Sequence, residues 1–333
     1  MSVTTKKGNK LAFHAIDNIF PDIFLNLMNR SSSFTRRDFL AAASASLALP
    51  LVQPLNALAK AKPLLSFSTL ACPKWDWATI VKYASDNGYH GIEIRGVLDC
   101  MDLPKCNDFG SPQNIAQSRK LAEDKGLRIV DLGSSAALHM ADPAERKKNL
   151  DEAKRFIDLA QQLNCPYVRV FPNDLPKDQE VDKTVELIST GLLELGEYAK
   201  NTSVTVLLES HGDVTKKDIL ANVMGKAEHK HVGLIWDIFN MWSVTKEPPK
   251  EVYAQLKQYI RHTHIKDGIL EGGKIRYVAV GKGEGPLQEA ISVLVKDNYK
   301  GYYSFEWEKK WHPEIEDPEI VIPAYPKLMQ QYF

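Results

Sequence analysis

Short runs rich in Val, Ile and Leu alternate with helical patterns along most of the chain, and this alternation is the strongest constraint on the fold. We predict eight strands, at residues 64–71, 91–96, 128–134, 167–171, 205–211, 232–240, 261–267 and 301–308. Helical spacing fills the gaps, as at Leu150, Ala153, Ile157 and Ala160. Apolar strands that alternate with helices indicate parallel pairing. Eight such units in about 270 residues predict an α/β fold of one domain, the (β/α)8 TIM barrel.

A doubly wound open sheet is the alternative fold. It requires a glycine-rich phosphate loop after its first strand, and residues 71–75 read ACPKW with no glycine. The glycine-rich segment 272–285 follows the predicted seventh strand, and we interpret it as an excursion from the barrel. No internal repeat or linker indicates a second domain.

The first 59 residues have the character of a leader. Arg36 and Arg37 precede a weakly apolar run that ends in Ala57-Leu58-Ala59. This arrangement resembles a cleavable twin-arginine export signal, although a short amphipathic helix is the alternative. We expect cleavage after Ala59, a barrel over residues 60–333, and Met28 as a candidate true start. The resemblance implies a periplasmic protein with the twin-arginine export machinery as a partner. No run of 18 apolar residues predicts a permanent membrane span.

Charge and cysteine content exclude several classes of protein. The whole chain has 42 Lys and Arg against 42 Asp and Glu, and removal of the leader leaves 36 against 39. This balance gives no support for nucleic-acid binding. Four cysteines in 333 residues do not make a disulfide scaffold. Cys100 and Cys106 are close enough to bridge in an oxidising compartment, but two free loop thiols are the preferred interpretation.

Acidic side chains and one histidine interrupt the last four predicted barrel strands near their ends. They are Glu209, Asp237, His264 and Glu306. In a TIM barrel the active site lies at the carboxyl ends of the strands, so we expect these four side chains to meet on one face. Three buried carboxylates would repel one another unless a cation neutralised them. The oxygen-rich set predicts one divalent metal ion, with Mn²⁺ preferred and Mg²⁺, Co²⁺ or Zn²⁺ as alternatives.

The segments around these residues resemble the xylose isomerase-like barrel superfamily, in particular its sugar phosphate isomerase/epimerase group. The resemblance covers residues from about 64 to 330 and rests on LESH at 208–211, WD at 236–237, HIKD at 264–267 and FEW at 305–307. It implies that Glu209, Asp237, His264 and Glu306 bind the metal. It also implies that Glu209 and Glu306 move protons on opposite faces of a substrate carbon. The implied activity is a metal-dependent isomerase or epimerase that acts on a sugar or keto-sugar through an enediolate.

A second group of residues is predicted to bind substrate, each with a structural alternative. His211 shares strand parity with Glu209, and Lys266 shares it with His264; a salt bridge to Asp267 is the alternative for Lys266. The same role is predicted for Glu93, His139, Asn240 and Trp307. Pairing with Arg95 or Arg169 is the alternative for Glu93, and plain packing is the alternative for Trp307. Many epimerases have His at the position of Asn240, so the role of that position is in doubt.

Other functions remain open at this point. A lyase, dehydratase or deglycosylating enzyme on keto-sugars or glycosides would use the same enediolate. A DNA-repair endonuclease of the same barrel type would need further metal-binding histidines, and Asn240 replaces one of them. A non-catalytic sugar-binding barrel is disfavoured by the intact glutamates on both sides of the metal. The sequence does not identify the sugar, and a dimer or tetramer is compatible with it.

Overall fold

The structure, a computed structural model, describes residues 62–333, and the predicted leader lies outside them. Eight parallel strands form a closed barrel in the order β1-β10-β7-β6-β5-β4-β3-β2, which confirms the predicted TIM barrel. They are β1 (Leu64–Ser68), β2 (Gly91–Ile94), β3 (Arg128–Ala137), β4 (Tyr167–Phe171), β5 (Thr205–Glu209), β6 (Val232–Asp237), β7 (Ile260–Ile265) and β10 (Tyr302–Phe305).

Nine helices of at least eight residues belong to the described part of the chain. They are α1 (Trp77–Asp86), α2 (Pro112–Glu123), α3 (Pro143–Leu163), α4 (Val181–Ala199), α5 (Lys217–Lys226), α6 (Ile238–Thr245), α7 (Pro249–Leu256), α8 (Leu287–Lys296) and α9 (Pro318–Met329). Asp76, Ser111 and Asp142 begin three of them, each with its side chain accepting a bond from a backbone N–H of the first turn. The apolar faces of the helices pack on the outside of the barrel.

The predicted strand at residues 232–240 was wrong at its carboxyl end. β6 ends at Asp237, and Asn240 lies in the first turn of α6. The Oδ1 atom of Asp237 accepts a hydrogen bond from the backbone N–H of Asn240 at 2.9 Å. An aspartate that satisfies a free N–H in this way starts a helix, so it ends the strand where the apolar run alone would continue it.

The predicted excursion after the seventh strand is a hairpin followed by a glycine-rich loop. β8 (Asp267–Glu271) pairs antiparallel with β9 (Lys274–Val278) outside the barrel. The Asp267 carboxylate accepts backbone N–H bonds from Gly268, Gly281, Gly283 and Gly285 at 2.9–3.0 Å. A Cβ atom at residue 283 would lie 2.2 Å from Asp267 Oδ1, so only glycine allows this close approach.

The prediction of two free loop thiols was wrong. Cys100 and Cys106 form a disulfide in the connection between β2 and α2, with their Cα atoms 5.8 Å apart. Sequence spacing could not decide this, because short helical turns at Leu103–Lys105 and Asn107–Phe109 fold the loop back on itself. In the described residues, no helix combines the length and apolar character needed to cross a membrane.

Candidate active site

Four consecutive barrel positions bring Glu209, Asp237, His264 and Glu306 together, and we call these four residues the quartet. One ligand atom from each lies within 4.8 Å of those of the others. Nδ1 of His264 is 3.3 Å from Glu306 Oε2, 3.5 Å from Glu209 Oε1 and 3.9 Å from Asp237 Oδ2. All four side chains are buried. The structure therefore places three carboxylates around one imidazole nitrogen.

Strand register produces this meeting. Glu209 and Asp237 are the last residues of β5 and β6, and Glu306 directly follows β10. His264 in β7 lies opposite Asp237 on one side and opposite Ser304 on the other. Because all strands are parallel, their carboxyl ends share one face of the barrel, where active sites of this fold lie.

A buried carboxylate below the quartet fixes the orientation of His264. Oε2 of Glu93 lies 3.0 Å from Nε2 of His264, 3.1 Å from Nε2 of His262 and 3.1 Å from Oγ of Ser304. An ionised carboxylate only accepts, so Nε2 of His264 carries a hydrogen and Nδ1 faces the carboxylates of the quartet. Nδ1 is buried and has no hydrogen-bond partner among residues 62–333.

Two permanent cations, Arg169 and Lys266, hold the glutamates of the quartet in their ionised form, and His264 adds to their effect. Nη1 of Arg169 donates to Glu209 Oε2 at 3.0 Å. Burial opposes ionisation of Glu209, but the Arg169 guanidinium overcomes it and lowers the pKa of Glu209 to about 2. Burial likewise opposes ionisation of Glu306, yet His264 and Lys266 hold the pKa of Glu306 well below its usual range.

Lys266 is the second of these cations and is itself buried. Its Nζ lies 2.6 Å from Glu306 Oε2, 2.7 Å from Glu308 Oε1 and 2.8 Å from Asp237 Oδ2. Burial disfavours the charged amine, but the three carboxylates raise the pKa of Lys266 well above its usual value. The alternative prediction of a salt bridge with Asp267 was wrong, because Asp267 instead binds the glycine-rich loop.

The quartet fits a divalent cation. It offers three carboxylates and one imidazole nitrogen that points at them without a hydrogen-bond partner in the described chain. This set of hard oxygen donors with a single nitrogen suits Mn²⁺, Mg²⁺, Co²⁺ or Zn²⁺. Burial opposes protonation of His264, but the neighbouring glutamates outweigh burial and raise the pKa of His264 well above its usual value. A metal ion would replace that proton.

A cavity of about 220 Å³ opens beside the quartet on the carboxyl face of the barrel. Among the residues predicted to bind substrate, His211, Lys266 and Asn240 line it, together with Glu209 and Glu306. Nδ1 of His211 is 3.1 Å from Asn173 Oδ1, and its ring packs on Phe171. These residues are therefore positioned to contact a ligand.

Three other predicted substrate-binding residues lie away from the wall of this cavity. Glu93 is beneath His264, as described above, rather than paired with Arg95 or Arg169. His139 is buried with its Nε2 3.5 Å from Asp174 Oδ2. Trp307 is buried, and its indole N–H donates to the carbonyl of Glu316 at 2.9 Å. Trp307 borders a larger cavity of about 640 Å³ against the β8–β9 hairpin, so the indole is not brought to the quartet.

Sequence reasoning did not assign five polar or aromatic residues of the cavity wall to the site. They are Arg95, Arg169, Phe171, Glu308 and Trp311. Arg95 directly follows β2, and Arg169 interrupts the apolar strand β4, so a charge within or just after an apolar strand was an available signal. Glu308 lies two residues after Glu306 and shares its parity. Trp311 lies in the loop that follows β10, and this loop carries it to the cavity.

Comparison with known proteins adds to this geometry. The sequence profile of the xylose isomerase-like TIM barrel matches residues 81–323, which is most of the chain. The chain belongs to this family. Fructoselysine 3-epimerase from Shigella flexneri is 26% identical over 234 residues, which cover 67% of this chain and 82% of that protein. Inosose isomerase from Halalkalibacterium halodurans is 24% identical over 256 residues, 73% of this chain and 87% of that protein.

A solved structure agrees with the barrel fold. The crystal structure of the IOLI protein with a bound zinc atom has a TM-score of 0.69 and 18% sequence identity. The match covers 81% of this chain and 99% of that one. At this identity the likeness speaks for the fold alone. The named relatives are sugar epimerases and isomerases, the enzyme class predicted from the sequence.

Proposed function

We propose that this protein is a divalent-metal-dependent isomerase or epimerase that acts on a sugar or keto-sugar by moving a proton next to a carbonyl group. One observation carries the proposal: the quartet combines a metal-binding donor set with two ionised glutamates, Glu209 and Glu306, beside a cavity. The epimerases and isomerases among the relatives support the reaction class.

The two glutamates are suited to opposite halves of a proton transfer. Glu209 is bonded to Arg169 in β4, and Glu306 is bonded to Lys266 just after β7, so a different cation holds each carboxylate. One carboxylate would take the proton from the carbon next to the carbonyl, and the other would return it. Return to the same carbon gives epimerisation, whereas return to the neighbouring carbon gives isomerisation.

A bound divalent ion would stabilise the negative charge that develops on the substrate oxygens when the proton leaves. The chain contributes the remaining parts. Lys266 donates a hydrogen bond to Glu306 and so holds that carboxylate in place. His211 and Asn240 offer polar groups to sugar hydroxyls from the cavity wall. Trp311, which is 55% exposed at the mouth, offers an aromatic face against which a sugar ring can pack.

We also propose that the protein is exported through the twin-arginine pathway and works in the periplasm. The paired Arg36 and Arg37 support this location, and so does the disulfide between Cys100 and Cys106, since such bonds persist mainly in oxidising compartments. Fractionation of cells that express the full chain should place the protein in the periplasm, and Arg36→Lys/Arg37→Lys should retain it in the cytoplasm. Periplasmic recovery of that variant would contradict the proposal.

The activity can be tested by NMR in D₂O with the Mn²⁺-loaded protein and a panel of keto-sugars. We expect deuterium to appear at a carbon next to the carbonyl, together with an epimer or isomer. Loss of water or of an aglycone would instead identify a lyase. Absence of any exchange with every keto-sugar of the panel would contradict the proposed chemistry.

Glutamine variants test which carboxylates move the proton. Glu306→Gln and Glu209→Gln should each lower turnover by about 10²–10⁴-fold, the usual contribution of a general base. Glu123→Gln, an exposed position in α2, is the matched control and should leave turnover unchanged. Circular dichroism should show that all three variants are folded, and full turnover in Glu306→Gln would remove that residue from the reaction.

A further inference from the structure

The two sides of the cavity beside the quartet carry opposite chemistry. The quartet comes from β5, β6, β7 and the end of β10, which are adjacent in the barrel. The facing wall contains the guanidinium groups of Arg95, just after β2, and Arg169, in β4. A ligand that fills the cavity is therefore offered metal-binding carboxylates on one side and two guanidinium groups on the other.

β3, the strand between β2 and β4, has a glycine where the side chains of both arginines pass. β3 lies between them, and its Gly133 faces their side chains. A Cβ atom at residue 133 would lie 2.7 Å from Arg95 Cδ and 2.8 Å from Arg169 Nη2, so a side chain there would force the two arginines to shift. Two like charges thus lie side by side over one glycine, and of the two only Arg169 is ion-paired within residues 62–333, to Glu209.

Arg95 has no acidic partner of its own. It is 6% exposed, Nη1 donates to the carbonyl of Gly133 at 3.2 Å, and Nη2 donates to Oγ of Ser135 at 2.9 Å. A guanidinium has five N–H groups, so most of its donor capacity is left for the cavity. Within residues 62–333, no carboxylate forms an ion pair with Arg95, whereas Arg169 is bonded to Glu209. A buried, unpaired charge is costly and calls for a ligand of opposite sign.

The electrostatic surroundings agree with this geometry. Burial and the neighbouring Arg169 lower the pKa of Arg95 to about 9. Both effects disfavour the charged guanidinium. Glu209, Glu152 and Glu306 act in the opposite direction without outweighing them, and a bound anion would add to that opposing effect. Glu209, the carboxylate nearest to Arg169, already belongs to the quartet.

We propose that Arg95, with Arg169 beside it, binds the carboxylate of an acidic sugar, so that the substrate is a sugar acid and not a neutral sugar. This inference deepens the proposed function and rests on it for the assignment of a sugar. The carboxylate would accept paired N–H bonds from the planar guanidinium fork, which matches the geometry of a carboxylate. The oxygens at the other end of the sugar would then reach the quartet.

The size of the cavity favours a carboxylate over a phosphate ester. A volume of about 220 Å³ is small beside the roughly 300–1,000 Å³ of common ligand pockets, so it suits one sugar unit with a compact, planar anion. A phosphate is bulkier than a planar carboxylate, and its second charge would fall on Arg169, which is already bonded to Glu209. Inorganic phosphate is therefore included in the test as the competing anion.

Binding measurements with matched sugars test the proposal. Isothermal titration calorimetry on the full chain, with and without Mn²⁺, measures the affinity for each ligand. The pairs compared are D-glucuronate with D-glucose and D-galacturonate with D-galactose, and inorganic phosphate is titrated as the competing anion. At least one acid should bind roughly 10–100-fold more tightly than its neutral counterpart, as expected for charge-assisted hydrogen bonds. Arg95→Gln should remove this preference, and Arg95→Lys, which keeps the charge and loses the fork, should retain part of it.

Controls separate this inference from the proposed function. Arg128→Gln alters an exposed arginine at the opposite end of β3 and should keep the preference for the acid. Mn²⁺ affinity should be unchanged in Arg95→Gln, since Arg95 does not belong to the quartet. Equal binding of acids and neutral sugars by the unaltered protein, binding of phosphate alone, or a preserved preference in folded Arg95→Gln would each overturn the inference. Loss of Mn²⁺ binding or of deuterium exchange would contradict the proposed function instead.

Discussion

Lys266 is a built-in cation within a group of buried carboxylates, and removing it should strongly destabilise the metal-free protein. Its Nζ lies 2.6–2.8 Å from Glu306, Glu308 and Asp237, and the residue is 1% exposed. Breaking a buried ion pair by removing one partner costs about 3–5 kcal/mol, because the other charge is left uncompensated. Lys266→Met keeps the apolar stem and should lower the free energy of unfolding by that amount.

Thermal unfolding followed by circular dichroism in EDTA near neutral pH measures this effect. A domain of this size loses about 2–4 °C of Tm per kcal/mol, so Lys266→Met should melt roughly 6–20 °C below the unaltered protein. Lys82→Met is the matched control. Its ammonium group pairs with Asp86 on the surface of α1, where such pairs contribute about 0–1 kcal/mol, so its Tm should change little.

Two further arms test the electrostatic origin of the loss. Saturating Mn²⁺ would bring positive charge to Asp237 and Glu306, so the deficit of Lys266→Met should shrink. Lys266→Met/Glu308→Gln should be more stable than the single variant, because one uncompensated buried carboxylate is gone. A Tm of Lys266→Met in EDTA equal to that of the unaltered protein would refute the reasoning.

Three other predictions concern the buried titratable groups. Glu93→Gln should weaken Mn²⁺ binding by about 10–100-fold in calorimetry, since Glu93 orients His264; unchanged affinity would contradict that role. Near neutral pH, binding of Mn²⁺ should release about one proton, because the glutamates raise the pKa of His264 and its Nδ1 must lose a proton to bind the metal. Calorimetric titrations in buffers of different ionisation enthalpy measure the number of protons released, and zero release would contradict the prediction. Burial and Glu93 raise the pKa of Asp131 well above its usual value, so the folded state keeps this carboxyl protonated at a pH where the unfolded state has already released the proton. The folded state therefore loses stability as pH rises from about 4 toward neutral. Asp131→Asn should therefore gain Tm relative to the unaltered protein as pH rises over this window, and a constant difference would argue against it.

The alternation of apolar strands and helices was enough to predict the barrel, but not the ends of its elements. The segment 232–240 is apolar beyond Asp237, and only the capping bond to Asn240 shows that a helix begins there. The disulfide between Cys100 and Cys106 was missed for a similar reason, because the turns that bring the two thiols together have no apolar periodicity.

Part of the candidate site could likewise be predicted from the sequence, and part of it could not. Glu209, Asp237, His264 and Glu306 could be chosen from the sequence, because each interrupts an apolar strand near its carboxyl end and parallel strands end on one face. The burial of Glu93 beneath His264 could not be predicted, since 171 residues separate them.

By itself, then, the amino-acid order determined the barrel and the face on which its charged strand ends collect, because strand periodicity and parallel direction are local properties. Tertiary structure decided which charges become neighbours: Arg169 pairs with Glu209 and Lys266 with Glu306 and Glu308, whereas Arg95 forms no ion pair within residues 62–333. These pairings depend on barrel closure and on the register between distant strands, and a glycine at position 133 leaves the room in which two arginines can lie.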